Sequence, residues 1–125
     1  MINAKAIYSE MLENEGLLAL VDSGSIFDSY PSEIENFPCI CYIDRSQFDI
    51  EYADNSHTFQ RVTVEVHIYT KALEGYPTTS EIGIKVAEIF NSDFWFMKNS
   101  AEVGDPVEDV RHRVMTFSKD IFIEQ

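Results

Sequence analysis

Between residues 59 and 70 the chain alternates apolar and polar positions without a break, Val62, Val64, Val66 and Ile68 interleaving with Arg61, Thr63, Glu65 and His67. That period of two predicts a strand with one dry and one wet face. Cys39-Ile40-Cys41-Tyr42-Ile43, entered through Pro38, is apolar on both faces and predicts a central strand. Ahead of it, Ala4, Ile7, Tyr8, Met11 and Leu12 recur at helical spacing behind Asn3, a residue suited to the N-cap. Gly16 interrupts that pattern before the apolar run 17–21, and Ile26 to Tyr30 reads as a short extended piece stopped by Pro31. Thr78 and Glu81 form a capping box in front of a helix over 79–90, whose apolar face is Ile82, Val86, Ile89 and Phe90. Residues 94–97 read as a short strand, 99–109 as a connecting loop and 113–123 as the last strand, in which Lys119 breaks the alternation and marks an edge or a bulge.

Residues 44–58 are too long for a tight turn and long for a structureless connection. Within them Phe48, Ile50 and Tyr52 alternate, which predicts a protruding β-arm, with a long loop as the other possibility; a mobile arm would order only against a neighbour. The order helix, strands, arm, strand, helix, strand, strand predicts one α+β domain spanning 1–125: an antiparallel or mixed sheet with two helices packed on one face.

Charge narrows the function. The formal net charge is -13, from 22 acidic against 9 basic residues, and residues 1–60 hold 11 of the acids and only 2 of the bases. Such a balance argues against specific nucleic-acid binding, which gains its free energy by replacing counterions with Lys and Arg. Cys39 and Cys41 stand two apart in a strand, where no relaxed disulfide joins them, and read as buried free thiols. No basic segment leads into an apolar leader and no apolar stretch is long enough to span a bilayer, so a soluble, intracellular protein with no membrane partner is expected.

Chemistry is sparse. His57, His67 and His112 have no Ser, Cys or carboxylate at a nucleophile spacing, there is no glycine-rich phosphate loop, and no metal or cofactor is expected. Glu33, Glu35, Asp44, Asp49, Glu51 and Asp54 lack the register that concentrates carboxylates around calcium. Arg111-His112-Arg113 is the one basic cluster, either a surface trio at a strand start or a contact for acid on a neighbouring subunit. Phe94-Trp95-Phe96-Met97 is a dense apolar patch, suited to a core or to a subunit interface. An assembly protein, not an enzyme, is the expectation.

Taken in order, Ile26-Phe27-Asp28-Ser29-Tyr30-Pro31, Phe37-Pro38-Cys39-Ile40-Cys41-Tyr42, Tyr52-Ala53-Asp54-Asn55, the Val62 to Tyr69 strand, the helix 81–90 and the ending Asp109-Val110-Arg111-His112-Arg113-Val114-Met115-Thr116-Phe117 resemble the tail terminator, or tail completion, proteins of long-tailed bacteriophages, which include minor capsid and head-to-tail joining proteins. The resemblance covers nearly the whole chain and rests on order and spacing. It implies an α+β subunit without catalytic residues that closes into a hexameric ring at the end of the tail tube and meets the tube protein and the head connector. It also implies synthesis in the bacterial host cytoplasm and a final place in the virion tail. On that view Phe48, Ile50, Tyr52, Asp54, Arg111, His112 and Arg113 are the candidate interface residues. A ring that DNA traverses without sticking suits an acidic subunit. The alternative is an acidic DNA mimic or other small inhibitor that occupies a basic site on a target protein.

Overall fold

The computed structural model describes residues 4–30, 36–51, 58–105 and 107–123. Its framework is a five-stranded mixed sheet in the order β1-β2-β3-β5-β4, not closed into a barrel, with every helix on one face. Strands β2 (Cys39–Glu51) and β3 (Thr58–Lys71) form a long antiparallel hairpin, and β3 pairs along its whole length with β5 (Val110–Ile123). The edges are β4 (Phe96–Val103), antiparallel to β5, and the two-residue β1 (Ile26–Phe27), parallel to β2.

The alternating strand buries the expected face. Val62, Val64, Val66 and Ile68 are all 0% exposed, and burial of such branched side chains contributes about 1.5–3 kcal/mol each. Across from them stand Ile40 and Tyr42 of β2 and Met115 and Phe117 of β5. Helix α3 (Thr79–Ser92) lays Ile82, Val86, Ile89 and Phe90 on this layer, and the Phe90 ring stacks on Phe117 at 4.2 Å. The Thr78 half of the capping box forms, its hydroxyl accepting from the Glu81 N–H at 3.1 Å.

The N-terminal helical pattern breaks into two pieces, α1 (Ala4–Met11) and α2 (Glu15–Leu18), so the described residues hold three α-helices where two are expected. The break has a local cause: Asn14 caps a new helix, its side-chain oxygen accepting from the Gly16 and Leu17 N–H groups. Tyr8, Leu12, Leu17 and Val21 of this segment complete the core. The expected Asn3 cap lies outside the described residues.

Two further expectations are corrected. Lys119 marks neither an edge nor a bulge, because β5 is an interior strand and Lys119 pairs with Val62 in unbroken register. Its ammonium instead donates to the Asp93 carbonyl at 2.7 Å and to Asp93 Oδ2 at 3.3 Å, closing the C-terminus of α3. Residues 99–103, expected in a loop, belong to edge strand β4, which carries a register shift between Met97 and Asn99. An edge strand wetted on most sides needs no apolar alternation, so its pattern hid it.

Candidate functional site

The outward face of the sheet carries a polar cluster that the linear spacing of its residues conceals. His67, only 4% exposed, lies on β3 and His112 two registers away on β5, and their rings meet with Nδ1 of His67 2.7 Å from Nε2 of His112. On its other side His67 Nε2 is 2.5 Å from Glu65 Oε1 and 2.9 Å from the Tyr30 hydroxyl, while Arg45 lies 3.5 Å from Glu65. The Tyr69 ring stacks on His112 at 4.2 Å. Donors and acceptors balance when His67 Nε2–H donates to the Glu65 carboxylate and His112 Nε2–H donates to His67 Nδ1. Burial and the neighbouring His67 push the His112 pKa below its ordinary value, against a smaller upward pull from Asp105 and Glu65.

The same face includes the two thiols, Cys39 opposite Tyr69 and Cys41 opposite His67, both free and buried as expected. Burial raises Cys39 to about 11, and burial with the neighbouring Cys39 and Glu65 raises Cys41 to about 12. Burial is the largest cause in both, because it disfavours the charged form of a thiol. Among the described residues no group of three or more His, Cys, Asp or Glu side chains is arranged to hold a metal ion.

The basic trio does not form one patch. Strand alternation places His112 on the outer face with His67 and turns Arg113 to the helix face, where it donates to Thr79 Oγ1, Ser100 Oγ and Ser80 Oγ at 3.3, 3.2 and 3.1 Å. Arg111 is exposed and donates to the Glu108 carbonyl at 3.3 Å, which leaves it the most accessible of the three. In the arm, β2 continues through Phe48, opposite Arg61, and Ile50, opposite Phe59, so residues 44–51 are paired strand, not loop. Tyr52 and Asp54 lie outside the described residues.

The aromatic run 94–97 divides. Trp95 is 4% exposed, packs edge-on to Tyr8 and Phe90, and donates from Nε1 to Asp93 Oδ2 at 3.1 Å. Phe94 and Phe96 stay outside, 86% and 70% exposed. Sequence reasoning missed the His67–His112 contact because it needs the β3–β5 register, and missed Tyr30 for the same reason; only the parity of Glu65 and His67 was visible.

A solved chain from the virion of a native gene transfer agent particle is similar in fold, with a TM-score of 0.63 at 12% identity over 95% of this chain and 94% of that one. No family model matches the chain, and no curated protein sequence matches it. At that identity the likeness shows the fold, a mixed sheet with helices on one face. Among the described residues no helix is long and apolar enough to cross a membrane.

Proposed function

We propose that this chain is a structural subunit of a phage-type virion, and within that class a tail terminator or head-to-tail joining subunit that assembles into a ring on the tail tube. The observation that carries this is the fold likeness to a virion chain over nearly the full length of both molecules. The chain's order of motifs, its net charge of -13 and its exposed aromatics fit an assembly role without catalysis. In the ring, Arg111 and the arm residues Phe48, Ile50, Tyr52 and Asp54 meet neighbouring subunits, the tube protein or the connector. A heterologous contact repeated around an axis closes when its rotation fits, and charge complementarity sets its register.

The test is genetic. In a phage or prophage that carries this gene, its deletion yields unattached heads and tails, or tails of uncontrolled length, by electron microscopy. Normal virions from the deletion overturn the function.

A further inference from the structure

Phe94 is an anomaly in two respects. It is 86% exposed, and its φ of +66° lies in the left-handed region. Phe94 N–H donates to the Asn91 carbonyl at 3.1 Å and Trp95 N–H to the Phe90 carbonyl at 3.0 Å, the paired bonds of a Schellman close at the end of α3. Glycine normally fills that left-handed position because a side chain there is strained. A phenylalanine adds an uncovered ring to the strain, and the isolated subunit gains from neither. A surface that covers the ring restores the balance.

The ring opens a concavity with a distinct charge. Arg61, Phe94, Phe96, Lys98, Lys119 and Asp120 line a space of about 350 Å³ at the β4 edge, so three of the chain's nine basic residues converge there. Arg61 is paired with Asp120 at 2.8 Å and Lys119 with Asp93 at 3.3 Å, while Lys98 is exposed. On the other side of the molecule, where α1 lies by β2 and α2 packs on α3, the character is complementary. Glu10, Glu13 and Glu15 are exposed there, and beside Glu13 a depression of about 80 Å³ is lined by Leu12, Leu18, Ile26 and Tyr42.

We propose that the β4-edge concavity docks a second copy of this chain. The exposed α1–α2 carboxylates of that copy sit by Lys98, and the shallow depression beside its Glu13 faces the Phe94 ring. The contact joins two different surfaces, so the pair keeps one free surface of each kind and the association propagates head to tail. It supplies the subunit contact of the proposed ring and rests on that reading only for the number of copies.

The test uses the full chain in solution. Amide shifts of the wild type, followed by NMR up to about 1 mM at low ionic strength, change with concentration at residues 94–98 and at 10–15 together, and the change fades with added salt. F94G weakens self-association about tenfold while its thermal midpoint stays level or rises. K98E and E13K each weaken it about tenfold, and the double variant K98E/E13K restores it. Wild-type shifts that do not move to about 1 mM overturn the proposal, as does F94G associating like the wild type or a double swap without rescue. A rescued swap alongside normal virions from the gene deletion keeps this contact and overturns the virion function; a failed swap alongside defective virions does the reverse.

Discussion

Replacing Lys119 by Met isolates the contact that closes helix α3. The methionine keeps the apolar stem on the helix face of β5 and removes only the ammonium. Three contributions are lost: a charged hydrogen bond to the Asp93 carbonyl at 2.7 Å, a longer contact to Asp93 Oδ2 at 3.3 Å, and a cation at the negative end of a helix that has no basic residue in its last turn. The side chains are 25% and 49% exposed, so water replaces part of what is removed. The carboxylate contact counts for less than 1 kcal/mol, and the carbonyl bond with the dipole term leaves a net loss of about 1.5–2 kcal/mol. For a chain of this size that lowers the urea midpoint by about 1 M at constant slope. D93N, which keeps the carbonyl and removes the charge, loses less than half as much. Equilibrium unfolding followed by far-UV circular dichroism measures both. A change under about 0.5 kcal/mol for K119M, within the ordinary scatter of surface substitutions, refutes the reasoning.

Two other outcomes follow from the outer and inner faces. The folded-state pKa of His112 lies below its unfolded value, so the unfolded chain binds the proton more readily. Stability is therefore complete above about pH 6.5 and falls as the pH drops through that value toward the folded pKa, and H112N flattens the decline in unfolding curves taken between about pH 8 and pH 5.5. Arg113→Ala removes three hydroxyl contacts and the stem lying 3.2 Å from where a Cβ on Gly83 would stand, lowering stability by about 1–2 kcal/mol, whereas Arg111→Ala stays within about 0.5 kcal/mol in the same thermal scan.

Period-two alternation identified β3 because its two faces differ in wetness, and the capping box located α3 because Thr78 answers a local backbone donor. Both signals are short-range. The split of α1 from α2 was equally local, but Asn14 as a cap was masked by the apolar spacing that runs on either side of it. What stayed hidden depends on register. Lys119 looked like a flaw in an edge strand because its partner, Asp93, sits 26 residues away at a helix end. β4 looked like a loop because an exposed edge carries no apolar code. Arg111, His112 and Arg113 looked like one basic patch because adjacency in sequence is the reverse of adjacency on a strand. The contact of His67 with His112 joins residues 45 apart and no spacing rule reaches it.

The sheet order also fixes when the subunit becomes itself during synthesis. β5 leaves the ribosome after every other described strand, yet it lies between β3 and β4. Until it emerges, β4 has no strand to join and β3 offers a bare backbone edge from Thr58 to Lys71. The fold is therefore completed by a late insertion of 14 residues into the middle of the sheet rather than by growth at its margin. A chain that ends before Val110 lacks the strand that pairs with β4 and covers this edge of β3.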